Sequence, residues 1–417
     1  MGILQKVNRS FQGDSKIWVI YLIFSFISMV EVFSATSALT YKAGSHWSPL
    51  LAHASKIFLG FVLLWVTHRF SAKLMRVMKL GLPVAWGLLI VAFFSSATND
   101  AHRWISILGI PVQPSEIAKL MLIILVANIL NKAQEEKGAA PWAFKYILIV
   151  TGITCALIVT ENLTTCILIG ATVFIMMILG RVPWKQLLKL TAVMVGGVVL
   201  GLVLLKNIPV EKVKGTPIER AITWSNRITA HSEPRPENPA DYVITDKNFQ
   251  RTHAYFAIAN SKGIGVLPGN SVERDRLPQA YSDMIFAIII EETGLLGAFI
   301  VIALYIYLLM RIWKIVHYSD NYFLNYTIMG IGIMMCLQAL INMFVSVGLM
   351  PITGQPLPLI SRGGTSMLIT SVAIGLILGV SKYAEACKEA LENPEEMDET
   401  ANELVEEMNV AIAEENK

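Results

Sequence analysis

Charge is what this chain has least of. Only 16% of its 417 residues are Asp, Glu, Lys or Arg, while 54% are hydrophobic. That balance excludes a soluble globular protein of this length and points to a polytopic membrane protein. The two signs nearly cancel at a formal +3, which gives no reason to expect a nucleic-acid partner. Cysteine is scarce as well. Cys155, Cys166, Cys336 and Cys387 are scattered, three of them in apolar runs, which supports neither a disulfide framework nor a zinc site. No clear small-residue cleavage site follows the first apolar run, so that run reads as a retained span. No internal repeat is visible. "GIGVLPG" at 263–269 has the wrong spacing for a nucleotide-binding turn and no βαβ unit around it. Its glycines are expected to let a surface loop fold back on the membrane.

What is present is apolar length. A spanning helix needs about 20 mostly apolar residues, and about ten stretches qualify. They run near 17–41, 47–68, 80–97, 114–131, 142–160, 163–180, 187–206, 284–311, 322–349 and 364–383. The expected fold is therefore all-α, a polytopic integral membrane protein of ten transmembrane helices. Small-residue pairs such as Gly197 with Gly201 and Gly375 with Gly379 let helices approach closely. Lys and Arg are dense in one set of connections, including Arg69, Lys73, Arg76, Lys79, Lys132, Arg181, Lys185, Arg311 and Lys314. The short connections of the other set carry only Lys42, Arg103 and Arg362. The positive-inside rule then puts both termini in the cytoplasm and the long polar stretch 207–283 outside, between helices seven and eight. A loop of that length in a compact bundle is a functional one. It contains an expected surface helix at 216–231. We divide the chain into a transmembrane domain, 1–383, and an acidic cytoplasmic tail, 384–417.

Four polar constellations fall on the outer side. "NDAHRWISILGIPVQPSEIAKL" (99–120) holds Arg103, Gln113, Glu116 and Lys119. Glu116 and Lys119, three apart, share a helix face as an ion pair. "TENLTT" (160–165) is a short turn. "RLPQAYSDMIFAIIIEETG" (276–294) places Asp283 where a polar loop meets an apolar run, with Glu291 and Glu292 inside that run. Carboxylates there are expensive and rare. "GLMPITGQPLPLISRGGTS" (348–366) is dense in Pro and Gly between apolar helices, as irregular backbone lining a cavity would be.

These stretches resemble the signature regions of the SEDS family of shape, elongation, division and sporulation proteins, which includes FtsW and RodA. The ten-span layout and the large loop before span eight match too. The resemblance covers nearly the whole chain except the acidic tail. It implies a peptidoglycan glycosyltransferase that polymerises lipid II beside a class B penicillin-binding protein and other division proteins, in the bacterial inner membrane. Similarity to the division branch, notably in "VEVFSATSALTY" (30–41), implies the septum. The family's essential aspartate lies in an "H-T-D-F-I-F" segment that aligns with "YSDMIF", hence Asp283. Two departures stand out. The family's "P-D-L-G-T" reads "ENLTT", with Glu161 and Asn162 for Pro and Asp, and the Tyr of its "S-Y-G-G" is Arg362.

The chemistry asks for a base and for cations. A sugar hydroxyl must lose a proton as it attacks an anomeric carbon bearing a lipid diphosphate, and the departing diphosphate needs positive charge. Asp283 is the candidate base. Burial would strengthen a carboxylate, while a helix N-terminus favours its anion. The bland reading of Asp283 is a first-turn charge. Lys56, Arg103, Lys119 and Arg362 are the candidate substrate cations, against readings as a snorkelling lysine, ion-pair partners and a loop anchor respectively. Gln113, Glu116, Glu291 and Glu292 are expected to be supporting residues. No metal site is expected in the protein, and a divalent cation is the one cofactor left open. The rival functions are a lipid II flippase and a non-catalytic scaffold for a division transpeptidase, since intramembrane charges and broken helices suit transporters as well.

Overall fold

A computed structural model of the chain describes residues 12–35, 47–94, 104–107, 110–159, 162–205, 243–245, 248–277 and 280–392. The architecture is helical. In chain order the helices are α1 (Ser15–Ala35), α2 (Trp47–Arg69), α3 (Ser71–Leu80), α4 (Leu82–Phe93), α5 (Pro114–Lys132), α6 (Pro141–Ile158), α7 (Leu163–Leu179), α8 (Trp184–Leu205), α9 (Phe249–Asn260), α10 (Ile285–Val316), α11 (Tyr322–Ser346) and α12 (Gly364–Glu392). Two short hairpins interrupt them: β1 (Ile105–Ile107) with β2 (Ile110–Val112), and β3 (Gln134–Glu135) with β4 (Gly138–Ala139).

Each of the ten apolar stretches coincides with a helix in this order. Among the described residues, seven helices are long and apolar enough to cross a membrane: α1, α2, α5, α6, α10, α11 and α12. The stretch near 80–97 departs from a simple span. The chain bends by 59° between α3 and α4, at "GLP" (81–83), because Pro83 cannot continue the α3 hydrogen-bond ladder. Together the two helices form a broken span or a re-entrant hairpin. Helix α12 also continues past residue 383 to Glu392. The expected helix at 216–231 lies outside the described residues.

Local sequence explains the helix starts. Pro114 and Pro141 stand in the first turns of α5 and α6, where the missing N–H costs nothing. Asn162 and Asn321 cap α7 and α11, accepting from Thr165 N and Leu324 N, each at 3.1 Å, as side-chain oxygens do at helix N-termini.

Helices α5, α11 and α12 are mostly buried, while α2 and α6 present broad apolar faces outward. The closest pairing is α2 with α12. A Cβ on Gly375 would stand 2.6 Å from Leu64 O, so the helix backbones meet there. Gly197, in contrast, has nothing within 4 Å. At one end of the bundle Asp14 ties three segments together. It accepts from Arg311 Nε at 2.9 Å, and its own N–H donates to Ser381 Oγ at 2.9 Å. The other end holds the polar constellations.

Helix α10 is broken internally. Gly294 has φ +70° and ψ −165°, which only glycine adopts readily. The "GIGVLPG" loop enters the break. Val266 N donates to Glu291 O at 3.0 Å, Leu267 N to Glu292 O at 2.8 Å, and Leu295 N to Gly263 O at 3.0 Å. The loop thus folds back onto α10 itself. A Cβ on Gly265 would stand 2.5 Å from Glu292 O, and that absent side chain lets the loop reach carbonyls the broken helix leaves open.

Candidate active site

The turn Tyr281–Met284 leads into α10. Three consecutive carbonyls in it are held from outside. Tyr281 O accepts from Arg362 N at 2.9 Å, Ser282 O from Ser361 Oγ at 2.6 Å, and Asp283 O from Asn342 Nδ2 at 2.9 Å. The Pro- and Gly-rich loop after α11 supplies the first two donors. That loop is fixed in turn. Asn342 Nδ2 also donates to Gln355 O at 2.8 Å, Gln338 Nε2 to Pro356 O at 3.0 Å, and Leu357 N to Ser361 Oγ at 2.7 Å. The carbonyls of Gln355 and Pro356 are thus bonded inside the bundle, which helps the irregular backbone to be tolerated at such depth.

The Asp283 side chain is half-buried. Ser282 Oγ donates to its Oδ1 at 2.9 Å. Its Oδ2 faces Gly354, where a Cβ would stand 3.5 Å away, so the loop passes close to the carboxylate at a residue without a side chain. The Arg362 guanidinium lies over the Tyr281 ring, 5.2 Å from its centroid, within cation–π range. His53 of α2 reaches the loop bearing Arg362 through Ser28 Oγ, which bonds His53 Nε2 at 2.9 Å and Ile360 O at 2.7 Å, and Lys56 follows three residues on along the same helix face. Asp283, Arg362 and Lys56 therefore gather at one end of the bundle, with Lys56 half-buried.

Lys119 is placed differently. Only 1% of its side chain is exposed, and its ammonium pairs with Glu116 at 2.8 Å and donates to Gln338 Oε1 at 3.0 Å. Gln338 is the residue that holds Pro356 O, so Lys119 and Glu116 underpin the loop from below. Gln113 N donates to Thr365 Oγ1 at 3.1 Å, which pins the β1–β2 hairpin to the start of α12. Arg103 and Glu161 lie outside the described residues. Asn162, the other departure, caps α7, and its neighbour Thr165 accepts from Gln355 Nε2 at 3.0 Å.

Glu291 and Glu292 are fully buried. Glu291 accepts from Asn260 Nδ2 at 3.0 Å, Val272 N at 3.2 Å, Glu273 N at 3.4 Å and Ser271 Oγ. Glu292 accepts from Gly269 N at 3.1 Å and from Ser34 Oγ, with Arg274 Nη1 at 4.0 Å. Both carboxylates fasten the segment 260–275 to α10, and Glu292 adds α1. Among the described residues, no group of three or more His, Cys, Asp or Glu is arranged to hold a metal ion.

Sequence reading overlooked several residues here. Gln338 and Asn342 sit four apart in an apolar run, a spacing that marks one polar spot on a helix face. His53 is buried and bonds Ser28 Oγ through Nε2 at 2.9 Å, while Ser28 Oγ donates to Ile360 O at 2.7 Å. The serine has one proton, so His53 Nε2 is the donor in that pair. His253 meets Glu273 at 2.5 Å. Nothing short of the fold brings those two together.

A bundle of membrane-crossing helices, closed at one end by a loop that fixes the backbone of a half-exposed aspartate, defines a polytopic membrane protein with a polar site at its mouth. The chain belongs to the FtsW/RodA/SpoVE family, whose profile, described as "Cell cycle protein", matches residues 14–386. Among its relatives, a probable peptidoglycan glycosyltransferase FtsW of Enterococcus hirae is 33% identical over 383 residues, covering 87% of this chain and 91% of the relative. The protein of that name from Hahella chejuensis is 30% identical and covers 81% of each chain. Solved structures share the fold. A chain from a peptidoglycan synthase complex, studied for its coordination of polymerization and crosslinking, superposes with TM-score 0.66 at 21% identity, covering 88% of this chain and 97% of the other. The rod shape determining protein RodA of Thermus thermophilus superposes with TM-score 0.61 at 19% identity, covering 88% and 96%.

Proposed function

We infer that this chain is a peptidoglycan glycosyltransferase that joins lipid II units into glycan strands, with Asp283 as general base. One observation carries the assignment of the base. Asp283 is a half-buried carboxylate whose own carbonyl is held by Asn342 of α11 and whose two preceding carbonyls are held by the loop after α11, with a guanidinium on the neighbouring ring. That is how a scaffold holds a reacting group still, and placement of that kind supplies much of a catalytic rate.

The acceptor sugar hydroxyl gives its proton to an Asp283 carboxylate oxygen as its oxygen bonds to the donor anomeric carbon. The bond from that carbon to the diphosphate breaks, and undecaprenyl diphosphate leaves with the electron pair. A single displacement inverts the anomeric configuration. Arg362 and Lys56 supply positive charge to the departing diphosphate, and Arg103 is proposed to join them. Lys119, engaged by Glu116 and Gln338, serves as framework. A divalent cation, if bound with the substrate, would supply further positive charge to the diphosphate, and assays with chelator and with added Mg2+ report on it.

In the membrane, the ten helical stretches are proposed to be ten spans with both termini cytoplasmic. Residues 207–283 then lie outside and 384–417 form an acidic cytoplasmic tail. The distribution of Lys and Arg supports this orientation. The partner proposed is a class B penicillin-binding protein, at the division septum. The coordination of polymerization with crosslinking described for the structural neighbour supports such a pairing. The polar groups gather at one end of the bundle rather than halfway along it, which favours an enzyme over a flippase, whose sites lie near the midplane.

The test is purified protein in lipid vesicles with lipid II, alone and with the partner, without ATP or an ion gradient. Glycan polymer is the expected product. Lipid movement without polymer would replace the enzyme by a flippase, and neither result would leave a scaffold.

A further inference from the structure

We propose that Asn342 is a positioning residue for the glycosyl transfer. It sets the place of Asp283 by holding that residue's own carbonyl to a rigid helix. The inference rests on Asp283 being the base.

Asn342 lies in the apolar run of α11 with 1% of its surface exposed. An amide so deep in a bundle is costly unless its hydrogens are bonded. Both are. Nδ2 donates to Asp283 O at 2.9 Å and to Gln355 O at 2.8 Å. Two carbonyl oxygens can only accept, so the amide has one possible orientation, nitrogen toward the turn. A single side chain thereby brings the turn 281–284 and the loop 348–363 to one point. One turn earlier on the same helix, Gln338 holds Pro356 O at 3.0 Å, so adjacent carbonyls of the loop rest on adjacent amides of α11. Of these two amides, Asn342 is the one that reaches both the loop and Asp283. Ser361 and Arg362, the other donors to the turn, sit on the loop itself, which Gln338 holds independently through Pro356 O.

The Asp283 carbonyl shares its Cα with the carboxylate. When the carbonyl is released, the side chain moves with it. A misplacement of about 1 Å can cost on the order of a hundred-fold in rate. Substrate affinity should change little, because the proposed diphosphate contacts come from Arg362 and Lys56. Asn342→Ala removes both donors. Asn342→Asp keeps the shape but turns a carboxylate oxygen toward two carbonyl oxygens.

The experiment measures glycan synthesis against lipid II concentration for the parent, Asn342→Ala, Asn342→Asp and Asp283→Asn. All are purified with the partner, and thermal unfolding is followed in parallel. The expected result for Asn342→Ala is a fall in kcat of at least ten-fold with KM within about two-fold of the parent, together with a displaced acid limb of the kcat–pH profile. Asn342→Asp should fall at least as far at neutral pH and recover relative to the parent toward acid, where a protonated carboxyl can again donate. A smaller yield of folded protein, with the parent's kcat per folded molecule and an unchanged acid limb, would overturn the proposal in favour of a purely structural amide. Should Asn342→Ala fail to fold, Asn342→Asp and Ser361→Ala, which releases the neighbouring Ser282 carbonyl, are read by the same criteria. Full activity of Asp283→Asn would instead overturn the base assignment. An inactive Asp283→Asn beside normal Asn342 variants would sink the positioning role alone.

Discussion

A lysine with 1% of its side chain exposed must be matched by its neighbours first. Lys119 has Glu116 at 2.8 Å and Gln338 at 3.0 Å. Removing one partner of such a buried pair costs about 3–5 kcal/mol, whereas replacing both by apolar residues is often neutral. Lys119→Ala should therefore lower the unfolding temperature sharply, and Glu116→Leu with Lys119→Met should restore most of it. If the restored double variant polymerises lipid II, Lys119 is framework. If it is stable and inactive, the lysine touches substrate. Arg362 should behave in the opposite way. Arg362→Ala should leave the unfolding temperature nearly unchanged and reduce turnover about ten-fold, less than for a sole donor if Lys56 shares the diphosphate as proposed. Unchanged turnover would remove it from the diphosphate site. The Glu116–Lys119 pair was legible from spacing, since residues three apart meet on any helix. Which way that face points was not legible, because nearly every face of α5 is apolar and the helix has almost no polar side.

At the scale of elements, the broken α10 is the feature most sensitive to a single methyl group. Gly294 has φ +70°, and a Cβ there would stand 2.4 Å from the Ile264 carbonyl carbon. Strain at φ and overpacking against backbone each cost roughly 1–3 kcal/mol, and here they add. Gly294→Ala should detach the loop 263–269 from α10 and expose the segment 249–277 to protease, while a control at Gly152, which has nothing within 4 Å, should be silent. Equal resistance of both variants would contradict the account. The sequence made α10 legible as an apolar run but hid the break, because an isolated glycine inside such a run also reads as an ordinary helical residue. The loop that fills the break begins 31 residues earlier, at Gly263, and short-range patterning carries no signal for such a pairing. Helix α9 and the β1–β2 hairpin were missed for a related reason. The strands, ISI and IPV, have three residues each, and α9 has 12 of mixed polarity, so neither gives a period long enough to follow. The bend between α3 and α4 did have a visible cause in Pro83.

Across the whole molecule, fastening and chemistry occupy neighbouring layers at one end. Glu291 and Glu292 hold the segment 260–275, Gln338 and Asn342 hold the Pro-rich loop, and that loop holds the turn bearing Asp283. A partner acting on the stretch 207–283, proposed to lie outside and continuous in sequence with the turn, would act on that turn, and coupling needs only two arrangements of it. A class B penicillin-binding protein whose catalytic serine is replaced should activate polymerisation as well as the intact one, since crosslinking is separate chemistry. Shortening 216–240 should abolish that activation, and equal rates with and without partner would show that the stretch carries none. The overall bundle was legible because a membrane demands long apolar helices. The mooring of the turn was not, because it is made of backbone carbonyls that no composition reveals. The most direct measurement for the whole account is lipid II polymerisation by Asp283→Asn in complex with its partner. That substitution keeps shape and most hydrogen bonding and removes the base. The account predicts a folded, partner-bound protein that makes almost no glycan. Glycan at near the parent's rate would contradict it.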